Sequence, residues 1–159
     1  MFYDILFTFL WSFSPLGESR VGIPYGIEQD LPITLVFIVG LIANLLVFPV
    51  FYKVITISNI YFLKNKNYKK VVLYLELRAK TKTKDVIQKY GIWGLMIFVM
   101  IPLPVTGAYI GTIAAFVYKI NYRKALLAVS SGITISCILV IFLWPYFTSV
   151  LWPYISSLL

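Results

Sequence analysis

Uncharged apolar runs occupy most of the chain, and they fall into two kinds. Residues 31–52 and 125–147 are long enough to cross a bilayer, since a spanning helix needs about 20 apolar residues. Residues 1–30 and 91–118 are interrupted near the middle by proline and glycine. Proline removes a backbone donor and disfavours helix in the residue before it. We therefore predict two spanning helices and two helix–break–helix segments.

The charges fall into three blocks along the chain. Residues 1–52 hold four acids and one base, residues 53–90 hold ten bases and two acids, and residues 91–159 hold three bases and no acid. Basic loops stay in the cytoplasm, so the linker of residues 53–90 and the stretch Lys119–Lys124 are both predicted to be cytoplasmic. The linker is either a helix that lies on an anionic leaflet or, as we favour, a solvated basic loop that only fixes the topology. The acidic N-terminal block places the N-terminus outside. The last span starts from a cytoplasmic loop, so the C-terminus is also predicted to lie outside.

This charge distribution decides how the interrupted segments sit in the membrane. Segment 91–118 starts and ends at cytoplasmic loops, and its arms, about residues 91–101 and 105–118, are each too short to span. It must enter and return, so we predict a re-entrant hairpin. Segment 1–30 follows the same logic from the outer face, with Asp4 and Glu28 at its mouth.

The predicted order is hairpin, span, linker, hairpin, span. The unit of one hairpin and one span thus occurs twice, with opposite orientation in the membrane. The sequence thus predicts a single all-α integral membrane domain over residues 1–159, an inverted repeat of a re-entrant helical hairpin plus a transmembrane helix. Inverted repeats with interrupted helices are typical of transporters. The apolar tail, residues 148–159, either extends the last helix or lies at the outer interface. We expect a multi-pass protein of the cell membrane.

Composition excludes several classes of protein. Hydrophobic residues make up 60% of the chain and charged residues 13%, against about a quarter charged in soluble domains. A soluble enzyme, a nucleic-acid-binding domain, a coiled coil and a disordered chain are therefore excluded. With no His and one Cys, the usual metal sites are absent. We expect no enzymatic activity, no cofactor and no nucleic-acid partner.

Two motifs lie at the breaks and carry a family resemblance. The first is Glu18-Ser19-Arg20-Val21-Gly22-Ile23-Pro24-Tyr25-Gly26 and the second is Ile101-Pro102-Leu103-Pro104-Val105-Thr106-Gly107-Ala108. They are similar to the E-x-R-x-x-I-P-x-G and P-L-P-x-T-G-A-x-x-G motifs of the putative small multidrug export protein family. That family resembles a branch of the DedA-like (VTT domain) superfamily, and the similarity covers roughly residues 15–140.

The resemblance implies a fold of two opposed re-entrant hairpins with flanking spans. It also implies proton-dependent transport of a lipid-linked carrier such as a polyprenyl phosphate, or of a small amphipathic drug. Typical DedA proteins carry two arginines around the proline of the second hairpin. The corresponding positions here are Val99 and Val105, which weakens the implied phosphate binding.

Glu18 and Arg20 are the sharpest candidates for chemistry, because no other charge lies well inside a hairpin. A charge at membrane depth is a functional hypothesis by default. The pair is either a proton or ligand site or a structural ion pair that caps exposed backbone at the break. Residues two apart do not face each other on a helix, so they meet only if the tip around Gly17–Ser19 is not helical.

The second break offers Thr106, Gly107 and the free amides of the arm that follows, which suit an anion. Alternatively, Gly107 and Gly111 only permit close helix packing. If both tips reach the midplane, they face each other. Asn44 either lines the path or, as we favour, bonds another helix. The candidate substrate or proton-coupling residues are Glu18, Arg20, Pro24, Tyr25, Asn44, Pro102, Pro104, Thr106, Gly107 and Tyr109.

Two functions remain open from the sequence. One is a transporter, and the other is a structural or lipid-organising, scramblase-like membrane protein without a coupled transport cycle. The expected partners are membrane lipids, protons and a polyprenyl phosphate or amphipathic drug. Because lipid cannot satisfy the broken backbone at the tips, we also expect a homodimer.

Overall fold

The computed structural model describes residues 1–62, 66–101, 107–146 and 148–149. These residues form helices and, within those ranges, no strand, so the all-α prediction is confirmed. The helices are α1 (Phe2–Phe13), α2 (Ser19–Glu28), α3 (Ile33–Phe62), α4 (Lys66–Tyr90), α5 (Ile92–Met100), α6 (Ala108–Val117) and α7 (Tyr122–Tyr146).

Within the described residues, two helices, α3 and α7, are long and apolar enough to cross a membrane. The segments are Ile33–Ser58 and Tyr122–Tyr146. Helix α3 continues to Phe62, well past the predicted boundary at residue 52. The boundary was set by the charge of Lys53. A charge alone does not end a helix, and the sequence has no proline or glycine between Pro49 and Gly91.

Two short helices precede each long one. Helices α1 and α2 pack against each other around a turn at residues 14–18, and α5 and α6 pack against each other across their break. The approach of α1 and α2 depends on Gly22, where an added Cβ would lie 2.0 Å from the Ser12 Oγ atom. The described helices thus follow the order that the sequence predicts for the two halves.

The segment predicted as a basic linker contains the helix α4. This helix contacts α5 and α6 and buries Ala79, Thr83 and Ile87, which are spaced by four and share one helical face. Lys70 and Lys80 are exposed. This part of the segment is therefore a packed helix with one buried face, and its interpretation as a solvated loop is wrong.

The short helices also pack against the long helices of the other half. Helix α2 contacts α7, helix α6 contacts α3, and the two long helices contact each other. Ile23 of α2, Phe48 of α3 and Ile133 of α7 are almost fully buried in the common core. This exchange brings the first turns of α2 and α6 into the interior, where Glu18, Ser19 and Ala108 are buried.

Candidate functional site

The first tip ends at Glu18, the N-cap residue that directly precedes α2. Its backbone has φ 53° and ψ −159°, close to a region that is almost exclusive to glycine and costs other residues about 1–3 kcal/mol. The residue is only 6% exposed. Backbone strain of this kind is concentrated at functional sites, which makes Glu18 the natural centre of the candidate site.

The Glu18 carboxylate lies at the N-terminus of α6. The Tyr109 backbone N–H donates to Oε1 over 3.4 Å, and the Ala108 N–H also faces the carboxylate. A Cβ atom added at Gly107 would lie 2.1 Å from Oε2. The first N–H groups of a helix have no partner within the helix, and the helix dipole favours an anion there. Glu18 therefore caps a helix of the other half.

Arg20 lies beside this carboxylate and contacts the end of α5. Its Nη2 atom is 3.9 Å from the Glu18 Oε2 atom and donates to the Ile101 carbonyl oxygen over 3.2 Å. Ile101 follows the last turn of α5, where the helix dipole favours a cation. The charged pair thus matches both ends of the broken helix, with the cation at the end of α5 and the anion at the start of α6.

Tyr109 joins the two tips a second time. Its hydroxyl donates to the Phe13 carbonyl oxygen at the end of α1, and its ring contacts Phe51 of α3 with 4.9 Å between centroids. We call the group of Glu18, Arg20, Ile101, Gly107 and Tyr109 the tip junction. It holds together two segments that are about 90 residues apart in sequence.

A second polar cluster lies next to the tip junction. The Asn44 side-chain amide donates to the Ser19 Oγ atom over 2.9 Å, so the interhelical bond favoured from the sequence is confirmed. The Cys137 thiol lies near the same two side chains. All three residues are buried. Within the described part of the chain, the Asn44 Oδ1 atom has no hydrogen-bond partner.

The remaining candidates are placed differently. Pro24 is buried inside α2, and Tyr25 packs its ring on Phe7 of α1 with 6.3 Å between centroids. An added Cβ at Gly111 would lie 2.6 Å from the Val99 side chain, so Gly111 permits helix packing, while Gly107 approaches the charged pair. Pro102, Pro104 and Thr106 lie outside the described residues.

Sequence reasoning found the two charges but missed part of their surroundings. The hydrogen bond between Asn44 and Ser19 was not expected to involve these two residues, and the bond from Tyr109 to the first tip was not expected either. The available signals were the position of Ser19 between the two charges and the amide side chain of Asn44 in the middle of an apolar span.

Residues 18–139 match the model of a family described as "Putative small multi-drug export protein". The chain belongs to this family. No match was found among curated proteins or among solved structures. The matched segment begins at Glu18 and includes the whole tip junction. The description names an export function, so membership of this family suggests a transporter and not an enzyme. The two long apolar helices agree with a membrane location.

Proposed function

We propose that the chain is a proton-coupled membrane transporter in which the tip junction is the coupling site. The observation that carries the proposal is the Glu18 carboxylate, which is buried beside Arg20 and caps the α6 N-terminus of the opposite half. When ionised, Glu18 accepts a charge-assisted hydrogen bond from the N-terminus of α6 and attracts the Arg20 guanidinium as an ion pair. Protonation removes that charge, weakens both contacts and lets the tips separate.

The packing of the helices supports an inverted repeat of the DedA-like type for this cycle. Helix α2 packs on α7, and helix α6 packs on α3, so each half places a short helix against the long helix of the other. That reciprocity is what two halves related by a two-fold axis in the membrane plane produce. The helix pairs α1–α2 and α5–α6 are then the two re-entrant hairpins.

The substrate in this proposal is a lipid-linked phosphate carrier or a small amphipathic molecule. An anionic headgroup would take the place of the Glu18 carboxylate at the α6 amides and bind Arg20, whose planar fork suits phosphate. An amphipathic cation would instead bind the Glu18 carboxylate with the ring of Tyr109 beside it. In both cases the protonation state of Glu18 sets whether the substrate can enter.

The test is flux across liposomes that contain the purified protein, measured over a range of pH values. A fluorescent amphipathic cation and a polyprenyl phosphate are the two probes. We expect Glu18→Gln to abolish the pH dependence of flux, because an amide cannot exchange the proton. The matched control is Glu28→Gln, the same change at an exposed residue of the same helix, which should behave as the wild type.

Unchanged flux and pH dependence in Glu18→Gln would reject the coupling role. Downhill movement of lipid that depends on neither pH nor Glu18 would instead identify a lipid-organising, scramblase-like protein.

The proposed topology makes a separate prediction about accessibility. We expect a cysteine at Lys70 or at Asn121, introduced into a Cys137→Ser background, to react only with reagents on the cytoplasmic side. A cysteine at Asp30 should react only from outside. All three positions are exposed, so folding does not hide them. Labelling of Asn121 from outside would mean that α5 and α6 do not form a re-entrant hairpin.

The proposal includes a two-fold homodimer. Backbone groups of broken helices cannot be satisfied by lipid, and a second copy would shield the breaks from it. The mass of the protein in a mild detergent measures the assembly, and a stable monomer of 18.2 kDa in detergent and in nanodiscs would reject it.

A further inference from the structure

A groove between α5 and α7 lies apart from the tip junction. It has a volume of about 240 Å³ and follows one face of α7, because its α7 residues are spaced by three and four positions. The residues that line it are Ile92, Trp93 and Met96 of α5 and Lys124, Leu127, Ala128 and Ser131 of α7.

The groove is apolar along its length and has a cation at one end. Trp93 is 70% exposed and Leu127 is 68% exposed. Lys124 lies in the first turn of α7, which has no acidic residue, and residues 91–159 contain no Asp or Glu. Among the residues that the structure describes, no ion pair involves Lys124.

The position of Lys124 in its helix is electrostatically unfavourable without an anion. The N-terminus of a helix carries partial positive charge, and Arg123 and Lys124 add two cations in the same turn. An external anion at this point would interact favourably with the dipole and with both side chains. An anionic ligand with an apolar part would therefore complement both these cations and the apolar groove.

We propose that the groove binds an acidic phospholipid, with its phosphate on Lys124 and one acyl chain along Trp93, Met96 and Leu127. From Lys124 to Ser131 the helix rises about 10 Å, which leaves an apolar track for the part of an acyl chain nearest the headgroup. Tryptophan is enriched at the membrane–water interface, and cations beside a membrane attract acidic lipids. A second copy of the chain would present the same cation and would repel it.

This lipid would be a structural ligand and not the transported substrate. At Gly132, one position beyond the groove, an added Cβ would lie 2.7 Å from the Met96 carbonyl oxygen, so α5 and α7 are in close contact there. The lipid would fill the groove between the two helices and fix α5 relative to α7. The inference does not depend on Glu18 or on the proposed function.

The first test compares thermal unfolding of the purified protein in detergent with added phosphatidylglycerol and with added phosphatidylcholine. We expect the acidic lipid to raise the unfolding temperature of the wild type more than the zwitterionic lipid does. Lys124→Gln should weaken the apparent affinity for phosphatidylglycerol about fivefold, the effect of one interfacial cation. The control Lys70→Gln, at an exposed lysine of α4, should leave the affinity unchanged.

The second test locates the acyl chain and does not depend on stability. Phosphatidylglycerol with brominated chains, at a low fraction in phosphatidylcholine bilayers, should quench tryptophan emission more than brominated phosphatidylcholine at the same fraction. Trp93→Phe should remove this difference, whereas Trp11→Phe should keep it. Equal quenching by the two lipids in the wild type, or an undiminished lipid preference in Lys124→Gln, would overturn the proposal.

Discussion

The substitution Gly107→Ala is expected to destabilise the protein by about 4 kcal/mol, the sum of two separate effects. The Gly107 backbone has φ 114° and ψ −150°, a region that costs a non-glycine residue about 1–3 kcal/mol. The new Cβ would also lie 2.1 Å from the Glu18 Oε2 atom and 2.9 Å from the Arg20 Nη2 atom. Overpacking of this kind adds about 1–3 kcal/mol.

The measurement is denaturant or thermal unfolding in one detergent, with Gly91→Ala as the matched control. Gly91 also has a positive φ, of 58°, but an added Cβ there meets nothing within 4 Å. The control should therefore suffer only the backbone effect. Its difference from Gly107→Ala isolates the contact with the charged pair, and equal losses in the two variants would mean that the tips are not in contact.

The second large effect is expected from breaking the ion pair one residue at a time. The side chains of Arg20 and Glu18 are 13% and 7% exposed, and removing one partner of a buried pair typically costs about 3–5 kcal/mol. Arg20→Gln leaves a carboxylate without its cation, and Glu18→Gln leaves a guanidinium without its anion. We expect both single variants to be strongly destabilised in the same unfolding measurement.

The double variant Glu18→Gln/Arg20→Gln separates the structural role from the functional one. It should be more stable than either single variant, because neither charge is left alone in the interior. Its pH-dependent flux should still be absent, since no proton can be exchanged at residue 18. If the losses in unfolding free energy of the two single variants add up in the double variant, the two charges do not interact. Normal flux in the double variant would mean that the pair has only a structural, capping role.

The tip residues could be predicted because their signals are local. Proline and glycine mark a break in an apolar run, and Glu18 and Arg20 are conspicuous inside such a run. The partners of these residues are a different matter. Ser19, Asn44 and Cys137 meet from three helices, and nothing in the sequence around one polar residue indicates which distant residue it will contact.

The boundaries of α3 and the packing of α4 were harder to predict for another reason. Charges were used to delimit the segments, but helices end where the backbone is interrupted. Lys53 therefore lies inside α3. In α4 the buried stripe includes Thr83, a polar residue whose hydroxyl donates to the Ala79 carbonyl oxygen, so the buried face is not conspicuous as an apolar pattern.

The backbone conformation of Glu18 stores strain energy in the tip junction. Its φ of 53° and ψ of −159° carry a cost of about 1–3 kcal/mol, which is offset while the carboxylate binds α6 and Arg20. In the proposed transport cycle, separation of the tips would release the residue from that conformation, and the backbone would relax. The recovered energy would lower the free-energy difference between the joined and separated states. A residue with a relaxed backbone at this position would close the same contact more tightly and reopen it more slowly.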